Sequence, residues 1–507
     1  MKDKNTEVLI IGAGPSGLTL SALLAQQGVK NIVIDKKPAT QKFPAAHVLR
    51  PYSMNIFSSI GALEEIEENI ADICKKMDCV TWCSSFGGKE IGRIDMTAPT
   101  SDDFTKNGFF AINLAQSKLE PILLKSVKKS TNSEVIFNTE FLSIEGDLKN
   151  PTIQVKTNED EQYSINAKWV VGADGANSKI RELLNIEMEG PGVLANFLNI
   201  HFEADLTDLL EDRAGPVHFV MSPGVNGTII TYDERSHVYM INKTDLNHKE
   251  DEILDLLDKV IDDKDVKKTI KSMGHWDMHC EVAKNYRVDN FLLIGDAGHR
   301  FPPTGGLGLN TGVLDASNLA WKLAAIIKGK AKFDLIDTFE IECKEVATKN
   351  ADDSMNNAFR LLLILEALGP FSSKDELETR LDSLNEDEQK KLDEAIKAQE
   401  SHFTSNGLMP TVFNLEDENS NLYPQDNYNF TIYSNDENYL NSVNENLDSS
   451  NDYKIITKKP IFQTDWLNKS VPHAFATRPD GLVFWMTKDK EFNFSNFINS
   501  IEKQHGN

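Results

Sequence analysis

The residues best equipped for chemistry fall in two glycine clusters roughly 280 positions apart. The downstream cluster reads Gly295-Asp296-Ala297-Gly298-His299-Arg300-Phe301-Pro302-Pro303 and continues through Thr304-Gly305-Gly306-Leu307-Gly308-Leu309-Asn310-Thr311-Gly312. Asp296 can bond a ribose or ribityl hydroxyl, and Gly305, Gly306 and Gly308 leave backbone amides free to approach a flat ring. The upstream cluster, Gly12-Ala13-Gly14-Pro15-Ser16-Gly17, has the spacing of a turn that cradles a pyrophosphate. Together they imply one large ligand with phosphates in the middle and a ring at one end.

These residues need elements to place them. Val8-Leu9-Ile10-Ile11 is a continuous apolar run, the pattern of a buried parallel strand, and it ends at Gly12. From Pro15 to Gln27 the apolar positions fit a helix closed by Gly28, and Ile32-Val33-Ile34 makes a second strand ending at Asp35. In this βαβ unit Gly12 permits the tight turn, Gly14 admits a pyrophosphate to the backbone, and Gly17 lets helix and sheet pack closely. The helix start faces the phosphates with its positive end. Asp35, 23 residues after Gly12, falls where a carboxylate accepts from a ribose 2′-hydroxyl, and it disfavours a 2′-phosphate there.

Two further strands, Trp169-Val170-Val171 and Phe291-Leu292-Leu293-Ile294, deliver Asp174 and Asp296 at their ends. An isolated Asp174-Gly175 is more often a strand-to-helix turn with an Asx cap than a ligand site. A helix is expected to begin near Gly312, carrying Leu314, Ala316, Leu319, Ala320 and Leu323, with its positive end toward the ring. Such an environment stabilises a developing anion on a flavin pyrimidine.

The composition agrees with a multidomain enzyme: 507 residues, 40% hydrophobic and 26% charged. The net charge of -25, from 53 basic and 78 acidic residues, argues against nucleic acid or an anionic membrane as partner. The five cysteines, Cys74, Cys79, Cys83, Cys280 and Cys343, contain no C-x-x-C pair, so neither a disulfide framework nor a metal site is expected. The start of the chain has no signal-peptide pattern and no apolar stretch reaches membrane-spanning length, so a cytoplasmic protein is expected.

The order G-x-G-x-x-G, then D-G, then G-D-A-x-H-R-x-P-P-x-x-G-L-G-x-N-T resembles the FAD-dependent aromatic hydroxylases of the para-hydroxybenzoate hydroxylase type, the group A flavoprotein monooxygenases. The resemblance is closer to the phenol and 2,4-dichlorophenol 6-monooxygenase branch, and it spans about residues 5 to 410. Supporting stretches are Pro44 to Leu49, Glu90 to Ile94, Gln116 to Leu123 and Val171 to Ser178. The resemblance implies FAD as cofactor and NADPH or NADH as a transient co-substrate without its own Rossmann domain. It implies a reaction with O2 in which a flavin C4a-hydroperoxide passes one oxygen atom to a small phenolic ring.

By the same resemblance, Gly12, Gly14, Gly17 and Asp35 hold the AMP half, and Gln116 lies near the pyrophosphate. Asp296 binds the ribityl chain, Gly308 and the backbone of Leu309 and Asn310 meet the flavin, and Pro303 shapes the wall where oxygen reacts. Asp174 supports the nucleotide indirectly. His47 faces the phenol and either accepts its proton or bonds only local backbone. Two departures stand out: the family's arginines are replaced by Ala45 and Tyr52, and Arg50 between them is expected to point elsewhere. The motifs do not separate phenol hydroxylation from tailoring of a larger polyketide-like aromatic, by hydroxylation or Baeyer–Villiger insertion, nor from a non-catalytic flavin-binding paralogue.

The expected architecture is α/β. A Rossmann-like FAD-binding domain (about 1–75, 105–185 and 281–345) is interleaved with a substrate domain built on an α+β sheet (about 76–104 and 186–280), and a long helix follows to 370. Individual substrate-sheet residues such as His218 and Tyr232 are more often packing positions than ligands. Residues 371–420 read as a charged, solvated helical linker, and Asn414 to Asp452 as long polar loops. Strands at 428–433, 453–457 and 482–485, the turn Arg478-Pro479-Asp480-Gly481 and a final helix from Phe492 to Lys503 resemble a shortened thioredoxin-like domain over 421–507. It has no cysteine, so packing or a homodimer contact is its expected role.

Overall fold

The computed structural model describes residues 3–70, 79–95, 112–210, 213, 215–242, 249–400, 430–434, 436–446, 455–458, 474–480, 482–487, 491–493, 495–497 and 500. Cys74, most of the polar stretch 414–452 and half of the expected final helix lie outside the described residues.

The chain begins with β1 (Lys4–Ile11), α1 (Pro15–Gln26), β2 (Asn31–Ile34), β3 (Val48–Leu49), α2 (Pro51–Ser59) and α3 (Leu63–Glu68). It continues with β4 (Cys79–Cys83), β5 (Glu90–Asp95), β6 (Ile112–Asn113), α4 (Gln116–Lys128), β7 (Ser133–Ile136), β8 (Thr139–Glu145), β9 (Thr152–Thr157), β10 (Gln162–Gly172) and α5 (Lys179–Leu183). Then follow β11 (Met188–Glu203), α6 (Thr207–Leu210), β12 (Val217–Val220), β13 (Gly227–Thr231), β14 (Ser236–Ile241), α7 (Glu250–Ile261), β15 (Thr269–Ala283), β16 (Arg287–Val288), β17 (Phe291–Leu293) and β18 (His299–Arg300). Helices α8 (Gly308–Ile327), α9 (Asp337–Leu368), α10 (Lys374–Asp382) and α11 (Glu386–Lys397) come next. The last part contains β19 (Phe430–Tyr433), α12 (Glu437–Asn446), β20 (Ile455–Lys458), β21 (Ala474–Thr477) and β22 (Val483–Thr487).

The first sheet runs β16-β17-β10-β1-β2-β7, with β9 and β8 joined to the outer part of β10. Its centre is parallel: β1 lies between β10 and β2, and β17 follows β10. The continuous apolar runs are explained by this position, since Val8, Leu9, Ile10, Val33 and Val170 are covered on both faces by helices and neighbouring strands. Four βα or strand-end loops therefore open at the same carboxyl edge. That edge is where an open α/β sheet binds its ligand.

The second sheet, β18-β15-β11-β14-β13-β12-β4-β5, is antiparallel apart from the β12–β4 pair. Period-2 alternation splits its residues: Leu198, Ile200 and Phe202 of β11 bury against Ile253, Leu257 and Val260 of α7, while Asn199 and His201 face the other way. The third sheet, β20-β19-β21-β22, has β20 parallel and β21 antiparallel to β19, with α12 crossing between β19 and β20, the order expected of a thioredoxin-like core.

Two expectations need correction. The helix expected near Gly312 starts one turn earlier, at Gly308, and Gly312 lies inside it against Ser16 and Gly295. The helices of the expected solvated linker, α10 and α11, are not free: Leu377, Leu392 and Ile396 pack on Val80, Trp82, Ile91 and Ile94 of β4 and β5, beside Ile364 and Leu368 of α9. A narrow apolar stripe in a highly charged sequence is enough to seat them. Among the described residues no helix is long and apolar enough to cross a membrane.

Candidate cofactor and substrate cavity

A cavity of about 1500 Å³ opens between the first two sheets. An ordinary small-molecule pocket holds roughly 300–1,000 Å³, so there is room for a dinucleotide and a second molecule.

One half of the cavity is built from backbone at glycine turns, with a few carboxylates at its ends. Gly12 has φ +114°, and a Cβ there would lie 2.1 Å from the Ala173 carbonyl oxygen; a Cβ on Gly17 would lie 2.1 Å from the Gly12 oxygen. Crowding by protein explains both glycines. Gly14 is different: nothing lies within 4 Å of its Cβ position, and it lines the cavity as the uncapped N-cap of α1. The space beside it is a cradle that a side chain would fill. Asp35 lines the same end, with one oxygen accepting from Ala13 N at 2.8 Å and the other from Lys37 N at 2.8 Å. It braces the glycine loop and retains lone pairs for a hydroxyl donor.

Gln116 begins α4 and also lines the cavity. Its Oε1 accepts weakly from Ala46 N at 3.4 Å and its Nε2 donates to Glu120 Oε1 at 2.7 Å. Glu120 in turn accepts from Gln41 N, and burial raises its carboxyl pKa. Glu120 belongs to no motif, and only its position four residues after Gln116, which puts both on one helix face, marks it in the sequence. Asp174 accepts from Lys179 N at 2.8 Å and Ile180 N at 3.3 Å in the first turn of α5 and lines the cavity, while the N-cap itself is Ser178, whose hydroxyl accepts from Arg181 N at 3.0 Å.

At the other end Asp296 opens into the cavity from a single 3₁₀ turn, Gly295–Ala297, while desolvation pushes its pKa up. The loop from Phe301 through Leu309 lines the same wall and includes Pro303, whose carbonyl accepts from Gly306 N at 3.0 Å. Gly308 has no atom within 4 Å of its Cβ position. Because α8 starts there, the N–H groups of Gly308, Leu309 and Asn310 have no acceptor within the helix. Leu309 lines the cavity; the Asn310 side chain does not. It is buried behind the loop, accepting from Arg50 N and Ser53 Oγ and donating to Val48 O and Gly306 O. All four of its hydrogen-bonding positions are used, which makes it a clamp between loop, strand and helix.

The two distant glycine clusters meet at Ser16. A Cβ on Gly295 would come within 2.6 Å of Ser16 Oγ, and one on Gly312 within 2.3 Å of the same oxygen and 2.9 Å of Gly295 Cα. Gly312 is therefore needed inside α8 so that the helix can press against both loops.

The substrate half is built from side chains. His47 Nδ1 is 2.7 Å from Asn113 Oδ1, and Asn113 Nδ2 donates to Thr231 O at 2.9 Å. This fixes Asn113 Oδ1 as acceptor and puts the proton on His47 Nδ1, leaving Nε2 with a lone pair. Burial depresses the His47 pKa to about 4 despite the Asn113 bond, so the ring is neutral near pH 7. Val80, Val217, Phe219, Ile230, Met240 and Met273 form an apolar wall nearby. Asn199, His201, His275 and His279 form a polar one. His218 and Tyr232 line neither: His218 contacts Arg213 O, and the Tyr232 hydroxyl donates to Pro44 O and Ala45 O while its ring packs edge-on to His47.

The two departures from the family pattern have different outcomes. Ala45 lines the cavity, whereas Tyr52 is buried with Leu314, Val346 and Leu482, inside the seam with the C-terminal sheet. Arg50 corrects the expectation that it points elsewhere: it lines the cavity, its guanidinium donates to Gly305 O, and burial lowers its pKa to about 10.

That seam is charged as well as apolar. Arg478 donates to both oxygens of Glu342 at 2.9 and 3.0 Å and also pairs with Asp480, while Lys322 of α8 reaches Glu342 at 3.1 Å. Trp321 donates to Asp480 at 3.1 Å and lies under the Arg478 guanidinium. Burial alone would raise the Glu342 pKa, but Arg478 and Lys322 hold it far below the usual range.

The cradle at Gly14, the open amides at Gly308 and the carboxylates of Asp35 and Asp296 fit a ligand with the phosphates and hydroxyls of FAD. The chain belongs to the family described as FAD binding domain, whose model matches residues 5–354. It is 32% identical over 389 residues to 2,4-dichlorophenol 6-monooxygenase of Delftia acidovorans, covering 73% of this chain and 66% of that protein. It is 30% identical over 365 residues to aklavinone 12-hydroxylase RdmE of Streptomyces purpurascens, covering 68% and 67%. The match to phenol 2-monooxygenase of a Pseudomonas strain, at 29% identity, covers 60% of that protein, so this chain spans about two thirds or less of several curated relatives. Among solved structures, the flavin-dependent monooxygenase PieE in complex with FAD and substrate superposes with a TM-score of 0.82 at 24% identity over 96% of this chain and 97% of that one.

Proposed function

We propose that this protein is an NAD(P)H-dependent FAD monooxygenase that hydroxylates a phenolic ring. The observation that carries this reading is the His47 Nε2 lone pair in the cavity wall, with Val48, the next residue, against Gly306 of the flavin loop. Bound FAD, reduced by NADPH or NADH, would supply the activation of O2. The chain's own residues do the rest. The apolar wall from Val80 to Met273 holds the ring and excludes water, and His47 accepts a hydrogen bond from the phenolic hydroxyl, directing the ring toward the Pro303 wall. A ring with a pKa near 4 is too weak a base to ionise a phenol in the ground state, so His47 orients and polarises it.

The cavity volume and the match to RdmE favour a second reading, in which the substrate is a fused-ring phenol. One experiment separates the readings. The purified protein is examined for a flavin spectrum, and NADH and NADPH oxidation is followed with single-ring and fused-ring phenols while hydroxylated product is quantified. Product from one class only selects between them. NAD(P)H oxidation that no phenol stimulates would overturn both.

A further inference from the structure

We propose that Asp315 is the positioning residue of the flavin end of the cavity. Asp315 lies on α8, two turns beyond Gly308, and is 1% exposed. One of its oxygens, Oδ2, accepts from Gly295 N at 2.9 Å and from His299 Nε2 at 2.8 Å. Those two donors are the two ends of the Gly295–His299 turn. Within that turn Gly295, Ala297, Gly298 and His299 are buried, and Asp296 alone presents its side chain to the cavity. A single carboxylate oxygen therefore grips both ends of the segment that aims Asp296.

The surroundings make the grip rigid. Beside it the Cys343 thiol of α9 is kept protonated by burial and by the Asp315 carboxylate. The turn closes on itself through Gly298 N to Gly295 O at 2.8 Å, and Arg181 Nη1 donates to Ala297 O at 2.9 Å. His299 is stacked between Phe301, at 4.8 Å, and Tyr286. Burying a carboxylate is costly, and charge-assisted bonds to fixed donors offset that cost only in good geometry. A site that must hold a ligand hydroxyl to within about half an ångström needs such support.

The inference rests on the assignment of this cavity to FAD, not on phenol hydroxylation. The test measures FAD dissociation from the full-length holoprotein, by flavin fluorescence on dilution, together with the visible flavin band at FAD saturation. Asp296→Ala sets the scale for a lost ribityl contact. D315L, close in size but without an acceptor, should weaken FAD at least tenfold and shift the band. D315N, which keeps an acceptor oxygen, should recover most of both. H299L should weaken FAD less than D315L, and the D315L/H299L double variant should be no worse than D315L, because the two residues act through one oxygen. Wild-type affinity and spectrum in D315L would overturn the proposal, as would equal losses in D315N and D315L, which would indicate charge and not grip. If D315L does not fold, H299L decides, and unchanged FAD affinity there overturns the proposal. A wild-type protein without bound FAD would instead overturn the cofactor assignment.

Discussion

The two halves of the cavity are made by different means. The cofactor half uses backbone: amides at Gly14 and Gly308 and carbonyl-tight turns at Gly12 and Gly17. The substrate half uses side chains projecting from strands at alternate positions, such as Asn199 and His201 on β11. A backbone site demands glycine and therefore tolerates little variation. A side-chain wall changes with each substitution while the sheet behind it stays the same, so one scaffold can serve many substrates.

The sharpest way to break this contrast is Gly12→Val. Its Cβ would meet the Ala173 carbonyl and its φ is strained for any side chain, so soluble protein containing flavin should be lost entirely, as read by flavin content after purification. Retention of FAD would show that the cofactor half is softer than its geometry implies. Next in size is Arg478→Met, which leaves Glu342 and Asp480 buried without their main cation; the expected loss is about 3–5 kcal/mol, seen as a lower thermal midpoint. An equal fall in FAD affinity would show that the cofactor half depends on the C-terminal sheet through α8.

Acid should act on the substrate side first. His218 and His237, both buried in the second sheet, have pKa values lowered to about 4 by desolvation. The fold favours their neutral forms, so their contribution is full above the unfolded value near 6.5 and falls as pH drops from there toward 4. The loss is roughly 3 kcal/mol each, and hydrogen exchange of β12–β14 should accelerate before that of β1 and β10. The smallest effect is expected for His47→Gln. Losing a well-placed acceptor should lower kcat/KM for phenols about tenfold, with FAD affinity unchanged. A change in FAD affinity would mean that His47 serves the cofactor half.

The same contrast explains what could be read from the chain before its fold. The βαβ unit, Asp35 and the strand delivering Asp296 follow from apolar runs that stop at glycines, and the structure places all of them on one sheet edge. The sequence pattern places the start of α8 a turn late because a glycine looks like a boundary, whereas Gly312 is held inside the helix by contact with Gly295 and Ser16. The inward turn of Arg50, the burial of Tyr52 and the Glu342–Arg478 seam depend on partners more than a hundred residues away, which local pattern does not record. Leu377, Leu392 and Ile396 were hidden for another reason: a few apolar residues among many charges read as solvated until a sheet face is there to receive them.

The meeting of Ser16, Gly295 and Gly312 also sets an order of events during synthesis. The phosphate turn leaves the ribosome first, but the wall that closes on it is encoded about 300 residues later. At about 5–20 residues per second, roughly 15–60 s separate the two. During that interval the first βαβ unit stands without the wall that closes on it, so FAD capture waits until Gly312 of the 507 residues has been made, and shortage of the cofactor would be felt by chains already past their midpoint.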